Sequence, residues 1–407
     1  MTLFHWSSLL PRAALLISLI PVSVPSALAF DKSEYNPAVL SISFGEEDGS
    51  AEKEDSASDD AFLDLALVTG DSDPQGVRVE LSRSELREQL RLFYRQIAAQ
   101  GSLDVADPKS PSRRLYSVLI EPIAPLLAQS KVTTLLLSVD RGLQAVPFAA
   151  LHSGQEYFGS RYAFALTPSL RYTAMSSLRQ AAPQMLAAGA RQFDALAPLP
   201  MAPIEINGIA QSQPTQVFMD RAFTPGVLLN QVSAEGVTNV HVATHAEFLP
   251  GGPSKAKLYT GTGSMSLQDF SKVRNRPEAA PLDLFTLSAC RTALGDNDSE
   301  LGFAGLALQA GARSAIGTLW YVDDVATSAY FIQLYRYLGQ GFPKAEALQM
   351  TRRAMQDGLI RLDGDRIIGP DRNPLVTDLT TLQQQRVARG LRHPFYWAGV
   401  ELIGAPW

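Results

Sequence analysis

From about Ser112 onward the sequence alternates short, nearly unbroken apolar runs with amphipathic stretches of helical spacing, and this alternation restricts the fold more than any other feature. The runs are Thr133–Val139 (TTLLLSV), Met185–Gly189, Gln216–Met219, Val237–Thr244, Leu282–Ala289 and Ser314–Trp320. Each has the length of a strand and is too short to cross a membrane. Helical spacing marks Tyr116–Ala128, Leu301–Ala312, Asp324–Leu338 and Pro343–Asp357. A strand that is apolar at every position is covered on both faces, so the pattern predicts an α/β fold: a mostly parallel sheet with helices on both sides. With 46% apolar residues in 407, there is material for a large core. No period of solenoid length recurs.

Upstream, Asn36–Phe44 and Ala61–Thr69 alternate apolar and polar residues, as the strands of a half-buried hairpin do. Between them, Glu46 to Asp60 carries eight acids and one lysine and reads as a solvated, self-repelling loop, with cation or basic-partner attraction as the alternative. In Val77–Gln100, Ser82 and Glu85 form a capping-box pattern ahead of Leu86, Leu90, Leu92 and Phe93. Residues 30–111 therefore form a hairpin and helix region, read as a lid or prodomain docked on the domain of residues 112–407. Residues 1–29 contain Arg12, then an uncharged stretch to Ala29 broken by Pro21 and Pro25, ending in Ala27-Leu28-Ala29. That order is a secretory signal peptide, implying export to the periplasm or outside the cell; an uncleaved membrane anchor is the alternative.

The formal charge of -6 is misleading, because the acidic insert alone holds a net -7 and leaves the remainder near neutral. No basic face is implied, so nucleic acid is not an expected partner. Without a Gly-x-Gly-x-x-Gly or Walker pattern, no nucleotide cofactor is expected either. A single cysteine, Cys290, removes internal disulfides and every site built on two thiolates.

Two predicted strands end on reactive side chains, Val237–Thr244 at His245 and Leu282–Ala289 at Cys290. If the strands are parallel neighbours, an imidazole and a thiol emerge at the same sheet edge, where open α/β sheets hold their sites. An imidazole can take the proton of a thiol nucleophile and return it to a leaving amine. The backbone amides of Ala246 and Cys290 are candidate donors to the oxyanion. A buried small hydrophobe and a core histidine are the alternative readings. His241, on the same strand face as His245, is read as hydrogen-bonding behind the pair; a zinc pair with Glu247 or Cys290 has the wrong spacing for a strand, and no metal is expected. His393 and His152 have no evident chemistry.

The blocks around these residues resemble a known family. Val240–Phe248 (VHVATHAEF) and Leu287–Gly295 (LSACRTALG) are similar to the histidine and cysteine motifs of CHAT domains, which are caspase-related. Arg141–Leu151, Gly302–Ala312, Leu319–Asp324 (LWYVDD) and His393–Gly399 (HPFYWAG) extend the resemblance from roughly Ser112 to Trp407. It implies a caspase-like fold of the cysteine peptidase clan that includes separase and gingipains, with His245 as base, Cys290 as nucleophile and a protein or peptide as substrate. Ala246 stands where such sites usually have glycine, and no TPR repeats precede the domain. Relatives that cut after Arg or Lys imply an acidic pocket wall, for which Asp323 and Asp324 are the candidates; capping of the following helix is the competing role for one of them. A catalytically silent CHAT-type module that binds a protein partner is the alternative function.

Overall fold

A computed structural model of the chain describes residues 3–4, 36–45, 60–70, 73–140, 142–168, 170, 173, 184–194, 196–234, 236–247, 256–270, 282–289, 305, 307–308, 311–320 and 323–407. The signal-peptide reading, most of the acidic insert and Cys290 lie outside the described residues.

The chain opens with β1 (Leu3–Phe4), β2 (Pro37–Gly45), β3 (Asp60–Thr69), β4 (Gln75–Ser82), α1 (Arg83–Ala98), α2 (Pro111–Leu119) and β5 (Thr134–Val139). Next come β6 (Ala163–Thr167), β7 (Gln184–Gly189), α3 (Ala202–Ala210), β8 (Thr215–Met219), α4 (Pro225–Val232) and β9 (Val237–Ala243). A small sheet of β10 (Ala246–Glu247), β11 (Lys257–Thr260) and β12 (Gly263–Ser266) precedes β13 (Leu284–Ser288) and β14 (Ser314–Thr318). Helices α5 (Asp324–Gly339) and α6 (Lys344–Gln356) are followed by the strands β15 (Arg361–Asp363), β16 (Arg366–Ile368) and β17 (Pro374–Val376), then α7 (Thr381–Val387) and β18 (Val400–Gly404).

One 12-stranded sheet runs in the order β1-β4-β3-β2-β5-β6-β18-β14-β13-β9-β7-β8. The pairs from β2 to β18 through β5 and β6 are parallel, as are those from β14 to β8. These two parallel blocks meet at the antiparallel pair β18–β14. Every residue of β6, β14 and β18 is buried. Since successive side chains point to opposite faces, the middle of the sheet is covered on both, and the fold is the expected α/β class.

The N-terminal strands correct one expectation. β2 lies parallel to β5 over six residues, from Pro37–Thr134 to Ile42–Val139, and β3 and β4 extend the same sheet. They are a wing of the central sheet and not a lid. Tyr116–Ala128, expected as one helix, breaks after α2, because Pro122 and Pro125 cannot donate the helical hydrogen bonds. Ser82 does cap α1, accepting from the Glu85 N–H at 3.1 Å. Among the described residues, no helix is long and apolar enough to cross a membrane.

The block His393–Gly399 acts as a seat for the chain leaving β14. The Leu319 N–H donates to the Gly399 carbonyl and the Trp320 indole N–H to the Phe395 carbonyl. A side chain at 399 would come within 2.7 Å of the Trp320 ring, so glycine is required there.

Beside this junction, Glu401 is wholly buried on β18, across from Gly317. Burial pushes its carboxyl up to about 8 from an ordinary 4.5, against the pull of Arg352. The Arg352 guanidinium donates to the Val400 carbonyl at 2.6 Å and lies 4.7 Å from the centre of the Phe164 ring. The folded carboxyl thus keeps its proton in a range where the unfolded chain loses it, and stability falls as pH rises from about 4.5 to about 8. Glu401→Gln is expected to flatten this decline and to be the more stable form at pH 8, by a few kcal/mol at most. Chemical denaturation at a series of pH values measures it.

Candidate active site

β9 and β13 are parallel neighbours in register from Asn239–Leu284 to Ala243–Ser288. The ladder is carried one step further by the Thr244 N–H, which donates to the Ser288 carbonyl at 3.2 Å. The strands therefore end side by side, with His245 just beyond one and Ala289 just beyond the other. Ala289 is held from its other side, because the Thr318 hydroxyl on β14 donates to its carbonyl at 2.7 Å. Cys290, the next residue in the chain, lies outside the described residues.

His245 is half-buried. Its Nε2 lies 2.8 Å from the carbonyl oxygen of Ala197, and the Phe193 ring meets it edge-on with centroids 4.7 Å apart. A carbonyl only accepts, so Nε2 is the donor, and the neutral tautomer that fits this contact has its lone pair on Nδ1. The segment that supplies Ala197 follows β7 and is tied back where the Leu199 N–H donates to the Arg191 carbonyl. The Arg191 N–H in turn donates to Asp220.

Ala246 opens the two-residue strand β10, opposite Leu258 of β11. The Tyr259 N–H donates to the His245 carbonyl, which makes Ala246 and Leu258 a non-hydrogen-bonded pair. The Ala246 N–H therefore points away from β11. The Thr244 hydroxyl donates to the Tyr259 carbonyl at 2.7 Å and fixes the turn between β9 and β10.

His241 is wholly buried behind this edge, as its place on β9 predicts. Its Nε2 is 2.9 Å from Glu205 Oε1 and its Nδ1 is 3.3 Å from the Tyr335 hydroxyl. Tyr335 donates to Thr286 Oγ1 on β13, and Ser328 donates to Glu205 Oε2. Burial holds the Tyr335 phenol well above its ordinary value. Both ring nitrogens of His241 are thus engaged by α3 and α5, and among the described residues no cluster of three metal-ligating side chains occurs.

Asp323 and Asp324 do reach the same place. A pocket of about 310 Å³ is lined by His245, Ser288, Ala289, Glu205, Asp323 and Asp324, among others. Both aspartates have prior engagements. Asp323 is the N-cap of α5, its Oδ1 accepting from the N–H groups of Val325 and Ala326. Asp324 accepts from Arg386 at 3.0 Å, and Asp323 lies 3.6 Å from the same guanidinium. Burial raises the Asp324 carboxyl above its usual range, although Arg386 opposes the shift.

Three contributors carried no sequence signal: the Ala197 carbonyl is a backbone atom, and Glu205 and Arg386 reach the pocket from distant helices. His393 is structural, accepting from the Phe395 N–H. His152 likewise accepts from the Gly154 N–H.

The fold and site define an α/β domain with a pocket at the ends of adjacent parallel strands, largely apolar but carrying a histidine and two aspartates on its walls. A family model of the CHAT domain matches residues 109–405, and the chain belongs to that family. No curated protein sequence matches it. Among solved structures it is similar to the Arg-specific cysteine proteinase gingipain R, at 11% identity and a TM-score of 0.42, over 71% of this chain and 68% of that one. It is also similar to a chain of the Saccharomyces cerevisiae separase–securin complex, at 12% identity and a TM-score of 0.49, over 92% of this chain but only 30% of that one.

The double role of Asp323 gives a test that separates its functions. Asp323→Ala is expected to cost about 1 kcal/mol through the lost cap, whereas Asp323→Asn, itself a good cap, costs a few tenths at most. Denaturant midpoints of the two variants distinguish them.

Proposed function

We propose that the chain is a cysteine endopeptidase in which His245 serves Cys290 at the shared edge of β9 and β13. The observation that carries this reading is the Nε2 contact of His245 to the Ala197 carbonyl, which leaves Nδ1 as a proton acceptor in a pocket lined by Ser288 and Ala289. Counting two residues on from the Ala243–Ser288 pair reaches His245 on one segment and Cys290 on the other.

In this chemistry Nδ1 takes the thiol proton, and the sulfur attacks the carbonyl carbon of the scissile peptide. The carbonyl oxygen becomes an oxyanion facing the N–H groups of Ala246 and Cys290. Collapse breaks the C–N bond, and the leaving amine takes the proton from the imidazolium. Water then attacks the thioester, giving its proton to Nδ1, and the thiol regains that proton as it leaves. The Ala197 carbonyl keeps the ring oriented and stabilises the imidazolium between these steps. The acidic wall of Asp323 and Asp324 suits a substrate with Arg or Lys before the scissile bond. Export through residues 1–29 belongs to the same reading, with a protein met outside the cytoplasm as the substrate.

Cleavage of peptides varied before the scissile bond tests it. The full chain is expected to cut after Arg or Lys, and Cys290→Ala and His245→Ala are each expected to lose on the order of a thousandfold or more in kcat/KM. Absence of Cys290-dependent cutting sends the function to the protein-binding module instead. Cutting with a neutral or acidic preference keeps the dyad and removes the basic-side-chain assignment.

A further inference from the structure

The acid pair of the pocket is already occupied by a guanidinium of the chain itself. Arg386 reaches it from α7, a seven-residue helix on which only Val387 is buried. The helix backbone is anchored at both ends by the buried Leu379, Val387 and Leu391, while on its pocket side the Gln383 amide contacts the Met201 sulfur at 3.1 Å and Arg386 contacts the two aspartates. Met201 and Arg386 both line the pocket, so α7 forms one of its walls. The Arg386 side chain remains 44% exposed, whereas Asp323 and Asp324 are 12% and 24% exposed. The carboxylates therefore belong to the pocket, and the guanidinium comes to them from the solvent side.

Two carboxylates facing one guanidinium leave an excess negative charge, and Asp324 Oδ1 is the oxygen Arg386 uses. A second guanidinium entering the pocket would compete for the same oxygens. We propose that Arg386 is an internal stand-in for a substrate's basic side chain: it rests on Asp323 and Asp324, and its half-exposed side chain swings out toward solvent when an arginine-like side chain enters. The proposal rests on the reading of this pocket as the substrate site. It makes Arg386 a specificity-determining residue, setting the affinity threshold that a basic side chain must pass. A planar, bidentate guanidinium displaces it more readily than an ammonium does, so Arg386 favours arginine over lysine.

The test uses binding, so that it does not depend on catalysis. Agmatine, a small free guanidinium, is titrated calorimetrically into the full chain carrying Cys290→Ser, alone and with Arg386→Gln, Arg386→Lys or Arg389→Gln. Arg386→Gln is expected to tighten agmatine about tenfold, Arg386→Lys to lie between it and the parent, and Arg389→Gln, which removes the same charge three residues along, to change nothing. Adding Asp324→Asn to Arg386→Gln is expected to abolish the gain. Equal or weaker binding by Arg386→Gln, a gain matched by Arg389→Gln, or no agmatine binding in any variant overturns the proposal. Should Arg386→Gln fail to fold, as circular dichroism would show, the Arg386→Lys shift decides alone. If agmatine behaves as expected and the Cys290 enzyme cuts nothing, the peptidase reading fails and the occupancy of the pocket stands.

Discussion

The parallel pairing of β9 with β13 is the interaction on which the rest of the site depends. Five consecutive register pairs bring both strands to the same edge and set His245 beside the end of the strand that leads to Cys290. A slip of one residue would turn each β9 side chain to the other face of the sheet, taking His241 out of its buried polar network. Such slips are opposed because both faces of these strands are packed, leaving no face to which a polar side chain can rotate without cost.

The same network keys the surrounding helices to that register. Tyr335 on α5 touches His241 of β9 and Thr286 of β13, which are register partners, while Glu205 of α3 joins His241 to Ser328 of α5. Orienting α5 fixes its N-terminus, where Asp323 and Asp324 project into the pocket. One buried cluster therefore sets both the histidine edge and the acid wall. Buried hydrogen-bonded groups of this kind contribute little net stability when complete, but removing one member leaves the others desolvated without partners. They act as a geometric lock.

Much of this was legible in the sequence because the strongest signal, an unbroken apolar run, is local. Val237–Thr244 and Leu282–Ala289 were readable as buried strands, and their reactive ends followed by counting. The helix cap at Ser82 was readable for the same reason. What was hidden depends on distant pairing. Val400–Gly404 gives no sign that it will insert between β6 and β14 and reverse the sheet direction there. Alternation in Pro37–Gly45 marks a strand without saying that its partner is Thr134–Val139, so the N-terminal wing looked like a separate lid. In the pocket, Asp323 carried two signals at once, since an aspartate before a helix is both a cap and a carboxylate. In the structure it caps α5 and also lines the pocket beside Arg386. Arg386, 62 residues from Asp324, had no local context that marked it.

Whether His245 acts on Cys290 can be measured without a substrate, because Cys290 is the one cysteine in 407 residues and any alkylation reports on it alone. The rate of iodoacetamide labelling of the native full chain, followed from pH 5 to 10 beside His245→Asn, reads the thiolate directly. Labelling of the parent is expected to persist well below pH 7, and that of His245→Asn to fall off around the value of an ordinary thiol, about 8.5. Superimposable profiles would contradict this expectation, since a histidine that leaves the thiol unperturbed is not its base.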